Sequence, residues 1–207
     1  CLFGGRVRQC VSGAAPINTD ILRFFVAAGV LVLEGYGMTE TSTAATISTP
    51  EAFKFGPVGR PFPGCQIKIA DDGEVLIKGP NIFQGYYKND EATKETVVDE
   101  WLHTGDIGEL DSDGYLSITG RKKDIIITAG GKNIAPKNIE AALKRSPLVA
   151  EAVVVGDRRP YLIALICLEP DALAKFVAEN GISGDPYSDP KVNAALQKAV
   201  EACNAEF

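Results

Sequence analysis

In the run VLVLEGYGMTETSTAATIS, residues 30–48, an apolar stretch stops at Gly35-Tyr36-Gly37, and a chain of hydroxyls follows with a single carboxylate, Glu40. In an open parallel sheet, ligands collect outside the carboxyl ends of the strands, and glycines there let backbone approach them closely. Thr39, Thr41 and Ser42 can donate to phosphate oxygens. A carboxylate beside phosphate repels it unless a cation lies between. Mg²⁺ takes oxygen ligands and bridges one carboxylate to nucleotide phosphates, so the pattern fits a nucleotide with its metal. A plain Ser/Thr loop carrying a solvated glutamate has the same composition.

Two further stretches hold groups of the same kind. WLHTGD, residues 101–106, ends in a predicted turn whose aspartate precedes a strand. One carboxylate accepts two hydrogen bonds from a vicinal diol, which suits Asp106 to a ribose; Thr-Gly-Asp is also ordinary turn chemistry. In ITGRKKDIIITAGGKNIAPKNIE, residues 118–140, the Arg121 guanidinium could reach the same ribose or a phosphate. Arg121, Lys122 and Lys123 also read as a solvated charge run. Gly130 and Gly131 fit a simple turn, or a place where a narrow chain such as pantetheine passes close to backbone.

The elements that must position these groups fall into three zones. Residues 1–50 read as a βαβ unit ending a parallel sheet: a strand from Arg6 to Ser12, a helix over DILRFFVAAG, and the buried strand VLVLEG. Asn18 or Thr19 caps the helix, Ile21, Leu22, Phe25 and Ala28 share its inner face, and Gly29 stops it. Residues 51–120 carry short strands around Asp71-Asp72-Gly73 and Asp113-Gly114, with a short helix from Asp90 to Thr96; they predict a small antiparallel, barrel-like subdomain. Residues 121–207 predict a small α+β domain: a strand–glycine turn–strand, a helix opened by Pro136 with Ile139, Ala142 and Leu143 inward, the strands LVAEAVVVG and YLIALICLE, and two closing helices. The expected class is mixed α/β (α+β).

Composition narrows the functional classes. The 207 residues are 45% hydrophobic and 23% charged with a net charge of −6, which suits a packed core and excludes compositional disorder. Acids and bases alternate without a Lys/Arg block, so no nucleic-acid partner is expected. No apolar run approaches the roughly 20 residues that span a bilayer. Cys1-Leu2-Phe3-Gly4-Gly5 shows neither the charged region nor the apolar core of a leader. The five cysteines, at 1, 10, 65, 167 and 203, have no zinc-like spacing and suit a reducing cytoplasm. One histidine, His103, excludes a histidine-based metal cluster.

SGAAP, GYGMTE, HTGD and GRKKDIIITAGGKNIAPKNIE occur in that order between Ser12 and Glu140. In order and spacing they resemble the adenylate-forming superfamily of acyl-CoA synthetases, peptide-synthetase adenylation domains and luciferases. Lys-Asn-Ile-Ala-Pro makes the likeness greatest to long-chain fatty acid–CoA ligases. The resemblance implies ATP, Mg²⁺ and CoA beside a fatty acid. It implies that Gly13 and Ala14 line the adenine and acyl pocket, that Tyr36 stacks on adenine beside Gly37, that Thr39 binds the α-phosphate and Glu40 the metal, and that Asp106 and Arg121 hold the ribose. Lys123 falls at the family's hinge, and Gly130 and Gly131 in the loop that meets CoA.

Departures accompany the likeness. His103 replaces the usual aromatic before Thr-Gly-Asp and is expected to pack or make a polar edge contact. The family's Gly-rich phosphate loop and C-terminal catalytic lysine have no counterpart here, and Lys198, in a helical pattern, does not take that role. The expectation is therefore a fragment, inactive by itself, whose open sheet edge favours self-association. An aryl-CoA ligase, an adenylation domain, a nucleotide-binding module without turnover and a purely structural scaffold remain compatible with these residues, as does peripheral contact of the parent with a membrane.

Overall fold

The computed structural model describes residues 4–207. Cys1 to Phe3, where the leader reading begins, lie outside them. The chain divides into two compact units, Cys1–Lys122 and Lys123–Phe207. The class is mixed α/β, with several small sheets and five α-helices among the described residues.

The first unit opens with β1 (Gln9–Ser12), α1 (Thr19–Ala27) and β2 (Leu31–Tyr36), and β1 pairs with β2 in parallel. Asn18 caps α1, its side chain accepting from Asp20 N at 2.8 Å, and Gly29 follows in the left-handed region. The inner face of α1 is narrower than its periodicity predicts. Leu22 is fully buried, but Ile21 is 46% exposed and Ala28 is exposed too, because β1 and β2 alone offer too little sheet to cover a wider stripe. The strand β3 (Thr46–Ile47) extends this sheet antiparallel to β2, and β4 (Arg60–Pro61) pairs antiparallel with β3.

The second sheet orders β5 (Gln66–Ile69), β6 (Glu74–Lys78), β8 (Trp101–Leu110) and β7 (Val97–Val98), with β9 (Leu116–Arg121) also pairing β8. It is antiparallel throughout. The helix α2 (Asp90–Thr96) leads into β7. Backbone bonds from Val58 N to Leu116 O and from Leu116 N to Gly59 O tie the approach to β4 onto β9. The two sheets thus curve around one core of Ala45, Val75, Ile77, Leu102 and Leu116, each fully buried. Burying a side chain of this kind contributes about 1.5–3 kcal/mol, so the alternation along β8 holds its register firmly.

One turn expected from the sequence is a strand instead. Thr104-Gly105-Asp106 lies inside β8, the longest strand, which kinks at Gly105 (φ 71°) and shifts register with both neighbours nearby. Pairing resumes on either side of the irregularity, so the chain runs on rather than turning.

The second unit holds a hairpin of β10 (Ile126–Ile127) and β11 (Asn133–Ile134), then α3 (Pro136–Leu143), β12 (Val149–Val155), β13 (Ile163–Leu168), α4 (Pro170–Asn180) and α5 (Pro190–Asn204). Pro136 opens α3, and Ile139, Ala142 and Leu143 pack toward β12 and α5 as their spacing requires. Among the described residues no helix is long and apolar enough to cross a membrane.

Candidate functional site

The adjacent carboxyl ends of β1 and β2 form the floor of the site. Ser12 pairs with Glu34, so Gly13-Ala14 lies beside Gly35. A Cβ on Gly13 would sit 3.0 Å from the Gly35 carbonyl oxygen. Ala14 has φ 68°, an unusual conformation for a residue other than glycine. At Gly37 a Cβ would lie 2.2 Å from the Thr43 carbonyl oxygen, so only glycine fits. The loop then folds into a 3-10 turn, Thr39–Thr41, fastened by the buried Thr41 hydroxyl, which accepts from Met38 N at 2.9 Å and donates to Met38 O at 3.0 Å. Ser42 and Thr43 follow with φ 51° and 94°. Thr43 is β-branched, and such a residue persists in that region only where its surroundings over-determine it.

This tight course leaves Thr39 exposed and Glu40 half-buried. The Tyr86 hydroxyl donates to Glu40 Oε1 at 2.6 Å, and Phe83 N donates to the Glu40 carbonyl at 2.9 Å. The carboxylate on one side and burial on the other push the Tyr86 hydroxyl pKa up, so it stays a donor. Asn81 completes the seam, its amide donating to the carbonyls of Ala44 (2.9 Å) and Thr41 (3.3 Å). Among the described residues no group of three or more His, Cys, Asp or Glu could hold a metal. A cation at Glu40 would therefore take the remaining oxygens of its shell from a ligand and water, as Mg²⁺ does at nucleotide phosphates.

Four residues before Glu40, Tyr36 ties this loop to β8. Its hydroxyl donates to Asp106 Oδ2 at 2.6 Å, across 70 residues of sequence. Burial, and then the neighbouring carboxylate, push the Tyr36 hydroxyl far up its scale. The other carboxylate oxygen of Asp106 accepts from Arg121 Nε at 3.1 Å, the two residues being direct partners across β8 and β9. Thr104 sets the backbone, donating to Val75 O at 2.7 Å and accepting from Asp106 N at 3.1 Å. Asp106 is 8% exposed, while the Arg121 side chain is 57% exposed. Each Asp106 oxygen keeps a second lone pair, so one carboxylate can serve its two protein donors and a diol together.

The structure thus brings Gly13, Ala14, Tyr36, Gly37, Thr39, Glu40, Asp106 and Arg121 into the first unit, around the ends of β1 and β2 and the middle of β8. Lys123, Gly130 and Gly131 belong to the second unit. Lys123 is exposed. Gly130 and Gly131 form the β10–β11 turn, in which Gly131 has φ 78° and its N–H donates to Thr128 O at 2.9 Å. Tyr86 and Asn81 escape a reading by motif, because their partners are distant in sequence and neither sits in a recognisable spacing. His103 makes the polar edge contact expected of it, its Nδ1 lying 3.2 Å from Glu74 Oε2.

Residues 2–87 match the model of the AMP-binding enzyme, and residues 123–207 match that of the AMP-binding enzyme C-terminal domain. The chain belongs to the AMP-binding enzyme family. The second match begins at Lys123, the residue at which the second compact unit begins, while Asp106 and Arg121 lie between the two matches. The long-chain-fatty-acid–CoA ligase FadD15 of Mycobacterium bovis is 46% identical over 207 residues, covering 98% of this chain and 34% of its own length. The chain therefore spans about a third of the length of the curated relatives it matches. O-succinylbenzoate coenzyme A synthetase of Bacillus subtilis, solved in complex with ATP and magnesium ion, aligns with TM-score 0.71 and 33% identity over 83% of this chain and 40% of that one. The anthranilate CoA ligase AuaEII, in complex with anthranoyl-AMP, aligns with TM-score 0.75 and 25% identity over 97% of this chain and 38% of that one. The chain is thus similar along nearly all its residues to CoA ligases and synthetases.

Proposed function

We propose that the chain is part of an ATP-dependent, AMP-forming ligase that joins a long-chain fatty acid to CoA, and that its first unit holds the nucleotide. In that reaction a carboxylate oxygen of the acid attacks the α-phosphorus of ATP, and pyrophosphate leaves. The CoA thiolate then attacks the acyl carbonyl, and AMP leaves. The protein's part is placement and charge stabilisation rather than covalent chemistry.

Each residue has a role that its surroundings allow. Gly13 and Ala14 form the pocket wall. The Tyr36 ring meets adenine while its hydroxyl stays on Asp106, and Gly37 allows the backbone close approach. The exposed Thr39 hydroxyl donates to the α-phosphate. Glu40, with one oxygen on Tyr86, has the other for Mg²⁺, which when bound neutralises phosphate charge. Asp106 and Arg121 receive the ribose hydroxyls. Lys123, where the second unit begins, is the hinge of a rearrangement between the two half-reactions, and Gly130 and Gly131 let the pantetheine arm pass.

The observation that carries the reading is the Asp106 carboxylate, buried yet bonded on both oxygens to residues from the ends of two other strands. Titration calorimetry of these 207 residues with AMP and Mg-ATP tests it: binding of both is expected. Absence of heat with either nucleotide at millimolar concentration, from a folded sample, would overturn the assignment.

A further inference from the structure

Glu74 begins β6, is 5% exposed, and is bonded to the middle of β8 and to the residue that follows β9. Its Oε1 accepts from Gly105 N at 2.8 Å, and its Oε2 accepts from Lys122 Nζ at 3.0 Å, with His103 Nδ1 also near Oε2. Lys122 Nζ lies 2.5 Å from Asp72 Oδ2 as well, and Lys122 N donates to the Gly105 carbonyl at 2.8 Å. Gly105 is therefore held at both its polar atoms, the amide by Glu74 and the carbonyl by Lys122. A buried carboxylate is stable only when its oxygens are bonded and its charge met. Burial pushes the Glu74 carboxyl up, but the Lys122 ammonium, the Gly105 amide and His103 together hold it below the ordinary glutamate range.

None of these residues is assigned a contact with nucleotide, yet Gly105 and Lys122 each border one that is. Gly105 precedes Asp106. Lys122 stands between Arg121 and Lys123, as the last residue of the first unit. We propose that Glu74 is a positioning residue: one buried anion sets the backbone that aims the Asp106 carboxylate and clamps the first unit's side of the hinge. The inference rests on the reading of Asp106 as the ribose acceptor and of Lys123 as the hinge. Without Glu74, Gly105 loses its amide partner while its α-carbon faces open space, so the kink can relax and turn Asp106 away from Tyr36 and Arg121. Lys122 loses its buried partner and keeps only the exposed Asp72.

Amide exchange at Gly105, tryptic cleavage after Lys122 and Lys123, and AMP calorimetry on Glu74→Gln and Glu74→Ala separate the two arms. A glutamine oxygen still accepts from Gly105 but brings no charge to Lys122. Glu74→Gln is therefore expected to leave Gly105 exchange within about threefold of wild type while cleavage accelerates about tenfold. Glu74→Ala is expected to speed both about tenfold and to weaken AMP binding about tenfold. Wild-type exchange and cleavage in Glu74→Ala overturn the proposal, as does an equal acceleration at Val75 and Leu102, which marks general loosening. Should Glu74→Ala fail to fold by circular dichroism, Glu74→Gln decides: unchanged cleavage overturns the clamp. If wild type binds no AMP, the nucleotide reading fails, while exchange and cleavage still judge the clamp.

Discussion

Replacing Asp106 by alanine tests the site at its centre, and the structure gives the expected size of two separate effects. In the fold, Asp106→Ala strips the half-buried Tyr36 hydroxyl of its acceptor, which costs about 1–3 kcal/mol. Arg121, more than half exposed, returns to water and adds about 1 kcal/mol or less. The melting temperature should therefore fall by roughly 5–10 °C. In binding, the proposed role has the variant lose a charged acceptor for two ribose hydroxyls. Part of that acceptor's strength is already engaged by Tyr36 and Arg121, so the loss is set at about 2–4 kcal/mol, or roughly 30- to 700-fold in AMP affinity. Tyr36→Phe removes the donor and leaves the carboxylate. It should weaken AMP binding far less, and the double variant should show a coupling of about 1–2 kcal/mol in stability. Calorimetry for affinity and thermal denaturation for stability read the two effects independently. AMP affinity within twofold of wild type in a folded Asp106→Ala protein would refute the ribose assignment; a lowered melting temperature alone would leave Asp106 a structural group. Zero coupling with Tyr36 would refute the geometry.

Two other perturbations follow from local contacts. Gly37→Ala places a Cβ where the Thr43 carbonyl oxygen stands, and should destabilise the first unit by about 3 kcal/mol in chemical denaturation, whereas Gly130→Ala, whose Cβ meets only the Thr128 hydroxyl at 3.9 Å, should stay within about 0.5 kcal/mol. Glu34 is 8% exposed, and burial raises its carboxyl despite the bond from Gly56 N. A carboxyl raised by folding binds its proton more tightly in the native state, so it costs stability as pH rises from the unfolded value of 4.5 through the raised native one. Glu34→Gln should therefore melt higher than wild type at pH 7 and level with it near pH 4; an advantage that is equal at both pH values would show that burial of charge is not the cause.

The parts of this architecture that depend on neighbours in sequence were legible before the structure. Asn18 and Gly29 bound α1, Pro136 opens α3, and the Asp-Gly pairs turn their hairpins, because capping and turn chemistry act over a few residues. The motif residues were legible as separate pieces. Their mutual bonds were not, since Tyr36 meets Asp106 across 70 residues and Lys122 meets Glu74 across 48, and no local pattern encodes which strands lie side by side. Thr-Gly-Asp read as a turn because each of its residues favours one. Partners on both sides of β8 override that preference, and Gly105 absorbs the misfit as a kink. The inner face of α1 is narrower than its periodicity predicts for a similar reason: periodicity reports which residues could be covered, and the extent of the sheet decides which are.

On the proposed assignment, the ribose acceptor stands in the middle of a core strand. Val75, Ile77, Leu102 and Leu116, all fully buried, lie on the strands that carry Glu74, Asp106 and Arg121, so the core holds the Asp106 carboxylate in place. The proposed binding would then lose little conformational entropy, its affinity coming from contacts rather than from ordering. The β10–β11 hairpin of the second unit is built differently. Its strands are two residues each, Ile127 is 51% exposed, and Gly130 and Gly131 sit in its turn. Few buried contacts and exposed backbone bonds place a segment at the low end of local stability. In the proposed ligase, a site that grips AMP through both half-reactions would gain from the first construction, and a loop that admits a long thiol-bearing arm would gain from the second. The division of labour between the units thus follows from where each sequence buries its apolar residues, ahead of any motif within them.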